Sequence, residues 1–471
     1  DGRKFIPQAI AAGANAVLWD SQNFTWNPQW QVPALAIDRL KEKAGVIASY
    51  VYHYPSQKLW TVGITGTNGK TSCSHWYAQA MTSLGHKTAI LGTLGNGFSG
   101  ELQFTENTTP DATVLQRILA DFAKKEAEDV VMEVSSHGLA QGRINGTSLS
   151  VAMLTNLSRD HLDYHRDMDT YAAAKASLFF WPGLKYAILN MDDVLGVELS
   201  RQLVDRPVNI IGYGFHYPEE RYVGQFSQFK MVYGSNLKFD LHGMTFDIEY
   251  ENDHEHLKVG LLGKFNASNL LAVIAAMLAR GVRLTDAVRS LQYAQPIPGR
   301  MEKYVGTDQP TIIVDYAHTP DALEKVLCTL RELMRSTKKA SKANEQGGRL
   351  FCVVGCGGDR DKGKRALVGE VATRLADAVI FTSDNPRSED PMRVINDITA
   401  GARTSAYQIE VDRMLAIYQA IANAGPGDIV LIAGKGHETY QEIEGKKLPF
   451  SDAEVVQQVL NDLAAKVRVQ P

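Results

Sequence analysis

Short apolar runs alternate along the chain with stretches whose apolar positions recur every three to four residues. The runs at 59–65, 130–134, 151–155, 186–190, 311–314, 350–354, 378–382 and 429–433 are rich in Val, Ile and Leu and lack strict alternation. That is the pattern of strands buried on both faces, as in a parallel sheet covered by helices. Helical periodicity fills the intervals, most clearly at 112–126 and 269–280. The pattern predicts an α/β fold, doubly wound, at least twice over. Residues 200–262 differ, with Tyr, Phe and alternating apolar positions (clearest at 238–250) and turn signals at Gly234-Ser235-Asn236 and His242-Gly243. They predict a small antiparallel β insert. Residues 295–299 are expected to link to a last domain, and 336–348 to form an exposed loop. Residues 1–58 contain one helix pattern (5–12) and one strand (16–18), and are expected to be the remainder of a domain that starts before Asp1.

Composition narrows the function classes. The 471 residues suggest roughly three domains. With 44% hydrophobic and 22% charged residues the chain is neither disordered nor fibrous. A net charge of −4 gives no basic excess for general nucleic-acid affinity. The longest apolar stretch, 270–279, is shorter than the roughly 20 residues a bilayer requires, so it reads as a buried helix. Four Cys cannot build a disulfide framework, and a reducing cytosol is expected.

The sharpest local signal is Gly66-Thr67-Asn68-Gly69-Lys70-Thr71, after a strand and before a helix pattern. Small residues let backbone N–H groups close around phosphates at a helix N-terminus. Lys70 is placed to reach outer phosphates, and the Thr71 hydroxyl to bind Mg²⁺. The loop is a shortened form, because Ile64 stands where the full phosphate-loop pattern has its first Gly. Strand, glycines, Lys-Thr and helix together argue against a plain Gly-rich turn.

Further polar clusters follow strands, where ligands bind in such sheets. Glu133 ends one strand, and its carboxylate suits Mg²⁺. The adjacent Ser135 and Ser136 equally suit a helix cap. His161 and His165 are four apart, as in zinc sites, but no further Cys or His completes a tetrahedral set nearby. Hydrogen bonding is one reading of that pair, and a place near Mg²⁺ is the other for His161. In the last third, 355–365 leads from a strand into clustered charges, where a rigid Arg fork suits a carboxylate or phosphate. Asp384-Asn385-Pro386-Arg387 and Gly434-Lys435-Gly436-His437-Glu438 follow two more strand ends. Cys352 and Cys356, with no second pair, are expected to pack in the core.

Together these motifs resemble the Mur ligase family, which builds the stem peptide of bacterial peptidoglycan, and the likeness spans essentially the whole chain. Residues 66–71 are similar to its shortened phosphate loop. The resemblance implies UDP-sugar peptide contacts at Asn107, Thr108, Thr109, Ser135, Gln141 and Arg143. It implies nucleotide contacts at Asn266, Asn269, Arg300 and Asp315, and an amino-acid pocket at Arg360, Asp384, Asn385, Pro386, Arg387, Gly434 and Glu438. The Asp-Asn-Pro-Arg tetrapeptide is the variant associated in the family with diaminopimelate rather than lysine. Lys175 matches a lysine that the family carries as a carbamate. A free Lys is cationic below a pKa of about 10.4 and repels Mg²⁺, whereas adding CO2 makes an anionic oxygen ligand. The implied catalytic groups are Lys70, Glu133, His161 and Lys175, with Thr71, Glu133, His161 and Lys175 as metal ligands. Two positions depart from the pattern: Arg166 stands where many relatives have Gly, and Ser72 where Thr is common.

The activity so implied is ATP- and Mg²⁺-dependent addition of meso-2,6-diaminopimelate to UDP-N-acetylmuramoyl-L-alanyl-D-glutamate, through an acyl phosphate, in cytoplasmic peptidoglycan precursor synthesis. The implied domains are 1–58 (remainder of a UDP-substrate domain), 59–298 (ATP-binding) and 299–471 (amino-acid-binding). The expected partners are small molecules, without nucleic acid or membrane, and the expected state is a monomer. The competing readings are a folylpolyglutamate synthase-like ligase, a P-loop kinase or ATPase, and a non-catalytic nucleotide-binding protein.

Overall fold

The computed structural model describes residues 1–216, 229–306, 309–340 and 348–469. Strands β1 (Val17–Asp20) and β2 (Ala34–Ile37) form a small parallel pair near the start. Next come β3 (Trp60–Thr65), β4 (Thr88–Gly92), β5 (Gly95–Phe98), β6 (Glu101–Gln103), β7 (Asp129–Glu133) and β8 (Val151–Leu154). They are followed by β9 (Tyr186–Asn190), β10 (Asn209–Gly214), β11 (Phe229–Asp240), β12 (Gly243–Tyr250) and β13 (Asp253–Val259). β3 to β13 make one 11-stranded sheet, ordered β13-β12-β11-β10-β9-β8-β3-β7-β4-β5-β6. A second, 6-stranded sheet contains β14 (Glu302–Tyr304), β15 (Thr311–Asp315), β16 (Leu350–Val354), β17 (Ala378–Phe381), β18 (Tyr407–Ile409) and β19 (Ile429–Ala433). Its order is β14-β15-β19-β16-β17-β18, all parallel except β14. The α/β expectation holds, and all eight strand runs lie in these two sheets.

Burial explains why those runs do not alternate. Val131 packs on one face of the large sheet with Val62, Ile64 and the helix Lys264–Arg280. Its neighbours Val130 and Met132 pack on the other face with the helix Ala112–Lys124. Both faces are therefore core, and each fully buried aliphatic side chain contributes about 1.5–3 kcal/mol relative to exposure. The 264–280 helix is apolar nearly all round because it is enclosed. The second sheet is likewise covered on both sides. Cys352 and Cys356 are buried in its core, and burial pushes both thiols up to about 12. Among the described residues, no helix is long and apolar enough to cross a membrane.

The antiparallel unit expected within 200–262 is present as β11-β12-β13, and it extends the large sheet because β11 pairs parallel with β10. Two expectations need correction. Gly234-Ser235-Asn236 is no turn but lies inside β11, where the register shifts in a bulge and Asn236 has φ +53°. The helix Leu40–Val51 and strand β2 also exist beyond the one helix and one strand expected in 1–58. The turn at His242-Gly243 is present. Of the expected loop at 336–348, residues 336–340 close the helix Pro320–Ala340, and 341–347 lie outside the described residues. Residues 295–299 run irregularly between the sheets, and the Trp76 indole Nε1 donates to the Gln295 carbonyl (2.9 Å).

Candidate active site

β3 and β8 are neighbours, and the chain leaves β3 towards β4 on one side and β8 towards β9 on the other. Such a switch point opens a crevice. Loops after β3, β4, β7 and β8 line a cleft of about 430 Å³ together with loops after β15 and β16 of the second sheet. Residues far apart in sequence meet there because the carboxyl edges of the two sheets face each other.

The phosphate loop is built by close packing. At Gly66 (φ +144°) a Cβ would lie 1.9 Å from Thr155 Oγ1, and at Gly69 (φ +88°) one would lie 2.6 Å from Asn269 Oδ1. Gly69 precedes the helix Lys70–Ser83 without capping it through a side chain. First-turn N–H groups are thus left for an anion. Lys70 folds back and donates to the carbonyls of Gly66 and Thr67, both at 2.9 Å. Burial pushes its pKa down, against the pull of Glu133 and Asp160.

Hard oxygen donors converge beside it. Thr71 Oγ1 donates to Glu133 Oε2 (3.0 Å), and Thr93 donates to the same carboxylate from both N and Oγ1. Glu133 is 1% exposed. Lys175, in the helix Met168–Ala176, is also 1% exposed. Its Nζ donates to the Gly66 carbonyl (2.7 Å) and lies 4.3 Å from the Tyr171 ring. Burial, with nearby Lys70 adding repulsion, pushes its pKa well down. His161 and His165 do not share a helix face as a zinc pair: His161 has φ +56° ahead of the short helix Leu162–His165. His165 Nε2 instead meets Ser136 Oγ at 2.9 Å, and the His137 ring stands near both. Burial pushes His161 down to about 3, so its imidazole is neutral.

The other expected residues fall into three groups. Asn107, Thr108, Ser135 and Arg143 line the cleft, as do Thr67, Asn68, Asn266, Asn269, Arg300 and Asp315. Ser135 also caps its helix by accepting from Gly138 N (3.0 Å). Thr109 and Gln141 act behind the wall: Thr109 Oγ1 donates to the Glu133 carbonyl, and Gln141 Oε1 accepts from Arg143 Nε. Both Asp315 oxygens accept backbone N–H groups, from Met301 and Ala317. Arg300 lies 4.3 Å over the Tyr316 ring. Arg360 lines the cleft, whereas Asp384, Asn385, Pro386, Arg387, Gly434 and Glu438 form an adjoining cluster. Tyr316 and His437, with ring centroids 5.1 Å apart, join cluster to cleft.

Sequence reasoning gave no role to several residues of that cluster. Lys435 is 0% exposed, and its Nζ reaches both Glu438 Oε2 (2.9 Å) and Asn385 Oδ1 (3.1 Å). Its place between two glycines at a strand end was the available signal. Arg387 Nη1 donates to the Gly358 carbonyl (2.7 Å), and its Nε lies 3.3 Å from Glu442 Oε2. Asp160 approaches His161, His318 and Lys364 at 3.3–3.4 Å. Glu389 ties down the Arg360 loop by accepting from Arg365, from the Asp359 N–H and from Lys362.

The hydrogen bond from Arg365 holds Glu389 down at about 2, with burial opposing. A depressed carboxylate pKa stabilises the fold above the ordinary value of 4.5, and that stabilisation is lost as pH falls towards 2. Glu389→Gln is therefore expected to lower Tm at pH 7, with the gap to the parent closing below pH 4.5. Thermal melts from pH 3 to 8 check this, and a gap independent of pH contradicts it.

The model of the Mur ligase middle domain matches residues 64–277, and that of the Mur ligase glutamate ligase domain matches 299–436. A UDP-N-acetylmuramoyl-L-alanyl-D-glutamate--2,6-diaminopimelate ligase of Nitrosomonas europaea is 56% identical over 464 residues, covering 98% of this chain and 89% of its own. The enzyme of that name from Chromobacterium violaceum is 47% identical with the same coverage. A solved structure of a ligase of that name has TM-score 0.66 at 36% identity, covering 98% of this chain and 90% of its own. A Mycobacterium tuberculosis folylpolyglutamate synthase complexed with ADP and AMPPCP has TM-score 0.66 at 17% identity, covering 84% and 92%, and shares the fold. The chain belongs to the Mur ligase family and is an ATP-dependent amide ligase of that family.

Proposed function

We propose that this enzyme joins meso-2,6-diaminopimelate to UDP-N-acetylmuramoyl-L-alanyl-D-glutamate at the expense of ATP. The carrying observation is that the Asp384–Arg387 and Gly434–Glu438 loops of one sheet abut a cleft lined by the phosphate loop of the other. The names of relatives at 47–56% identity support the same substrates. ATP and the nucleotide sugar are water-soluble, and the proposal places a monomeric enzyme in the cytoplasm.

The carboxylate of the UDP-linked dipeptide is a poor acyl donor, because its charge resists attack. Its oxygen attacks the γ-phosphorus of ATP, ADP leaves, and an acyl phosphate forms. The deprotonated amine of diaminopimelate attacks the acyl carbon. The tetrahedral adduct collapses to the amide and releases phosphate carrying the former carboxylate oxygen. The first-turn N–H groups after Gly69 bind phosphate oxygens, and Lys70 turns from its two carbonyl acceptors to the transferred group. Asn266, Asn269, Arg300 and Asp315 border the nucleotide, and Asn107, Thr108, Ser135 and Arg143 the UDP-sugar peptide, with Thr109 and Gln141 bracing Ser135 and Arg143.

The donor set fits Mg²⁺, since Thr71 and Glu133 offer hard oxygens already within 3.0 Å of each other. His161, a neutral imidazole, and Lys175 as a carbamate would hold a second ion. When bound, these ions neutralise charge on phosphate and acyl oxygens. The carbamate fits its place, because the enclosed Lys175 amine is held towards the neutral, nucleophilic form that adds to CO2. Lys175→Met is expected to lower turnover at least about 100-fold. Equilibration with ¹³C-bicarbonate is expected to give a carbamate resonance in the parent and none in the variant. A parent without that resonance contradicts the carbamate.

The function itself is tested by product mass. The UDP-linked dipeptide gains one diaminopimelate residue only with ATP present. Gain of lysine in its place would overturn the acceptor assignment.

A further inference from the structure

We infer that Asp160 is a positioning residue that couples docking of the C-terminal sheet unit to the orientation of His161. The inference rests on the ligase reading above, and it concerns how the assembled site is held rather than which substrates it takes.

Asp160 lies in the loop after β8 and is 4% exposed. Its Oδ2 lies 3.3 Å from Nε2 of His161, beside it on the same loop. The same oxygen lies 3.4 Å from Nε2 of His318, which follows β15 of the other sheet. Its Oδ1 receives Nζ of Lys364 at 3.3 Å, from the turn Lys362–Lys364 after β16. One carboxylate thus serves a residue of the phosphate-loop side and two residues of the amino-acid side.

A second contact crosses the same seam, Arg159 to Asp361 at 3.3 Å. Its Arg side chain is 43% exposed, whereas the side chains of Lys364 and Asp160 are nearly enclosed. Exposed pairs contribute little, while losing one partner of an enclosed pair leaves a bare charge behind. Of these two ion pairs across the seam, Asp160–Lys364 is the enclosed one, and the one whose loss leaves a bare charge. Burial alone would raise the Asp160 carboxyl; the hydrogen bond from His318 and the Lys364 charge hold it well below the ordinary carboxylate range.

The same contact orients His161. The Asp160 charge beside Nε2 favours the proton on that nitrogen and leaves the lone pair on Nδ1. A ligating histidine is characteristically set by a carboxylate at its other nitrogen. When the C-terminal unit moves away, His318 and Lys364 leave Asp160. The carboxylate is then hydrated, and its hold on His161 loosens. Docking and the His161 setting therefore rise and fall together.

The test uses the full chain with Asp160→Asn, Lys364→Met and the double variant. Turnover is followed by phosphate release, and compaction by small-angle scattering with and without ATP plus UDP-linked dipeptide. Asp160→Asn is expected to lower kcat about 30-fold or more while KM for ATP stays within about 3-fold. Lys364→Met is expected to lower kcat about 10-fold, and the double variant to match Asp160→Asn alone, because both act through one contact. Ligand-induced contraction is expected in the parent and lost in both single variants. Parental kcat in Asp160→Asn, multiplying effects in the double variant, or unchanged contraction would each overturn the coupling. Should Asp160→Asn fail to fold, Lys364→Met carries the kcat and scattering arms from the other side of the seam. A parent with no diaminopimelate-dependent turnover would refute the proposed function instead, and the scattering arm would still read docking.

Discussion

Lys70→Ala is expected to abolish turnover to within detection, a loss of about 10³-fold or more, with the fold intact. The γ-phosphoryl group spreads negative charge over its oxygens during transfer, and the Lys70 ammonium stands on the first residue of the phosphate-loop helix. Of its present acceptors, Thr67 lines the cleft, where water replaces the lost donor, and the Gly66 carbonyl keeps its bond from Lys175. The loop's shape is set by Gly66 against Thr155 and Gly69 against Asn269, neither of which involves Lys70. Phosphate release and a thermal melt together check this. Lost release with Tm within a few degrees of the parent is the expected pair, and residual turnover above a tenth of the parent contradicts the role.

Arg387→Ala carries the second large effect, on acceptor choice. The residue has φ +53°, and its backbone is fixed on both sides: its N–H donates to the Glu442 carbonyl and its carbonyl accepts from Glu444 N–H. Truncation therefore removes the guanidinium without releasing the turn. Diaminopimelate differs from lysine by a distal carboxylate, which an Arg fork binds in bidentate fashion. Lysine brings no carboxylate to that fork, and a site built for a polar group strongly rejects an analogue lacking it. Glu438 has one oxygen engaged by Lys435 and Asn385, and its other oxygen is the proposed acceptor for the distal ammonium. Arg387→Ala is expected to lower kcat/KM for diaminopimelate about 10³-fold, to change that for L-lysine less than about 10-fold, and to leave KM for ATP within about 3-fold. Unchanged diaminopimelate KM and turnover would remove Arg387 from the pocket.

The strands were legible because burial on both faces writes long apolar runs. β2 left no such trace, since three of its four residues are exposed. The bulge in β11 was misread for a physical reason: Gly, Ser and Asn suit a turn, and Asn236 does adopt the left-handed conformation, but inside a strand. The phosphate loop was legible because its chemistry is local, with backbone, Lys70 and Thr71 within six residues. Lys435 and Glu442 were quoted or passed over without a role, because they act on Asn385 and Arg387, some 50 residues away. Asp160 and Lys364 stand 204 residues apart, and no spacing rule connects them. Ser135 was legible in two ways, and it both caps a helix and lines the cleft.

The central claim is that ATP activates the carboxylate of the UDP-linked dipeptide within one site that both sheets complete. Oxygen transfer tests it most directly. The dipeptide carboxylate is labelled with ¹⁸O, the reaction is run with ATP and meso-diaminopimelate, and the released phosphate is weighed by mass spectrometry. The account predicts that one ¹⁸O passes from each consumed carboxylate to phosphate, and only when the amide forms. Unlabelled phosphate alongside amide product would contradict it, because the carboxylate would then not have attacked the γ-phosphorus.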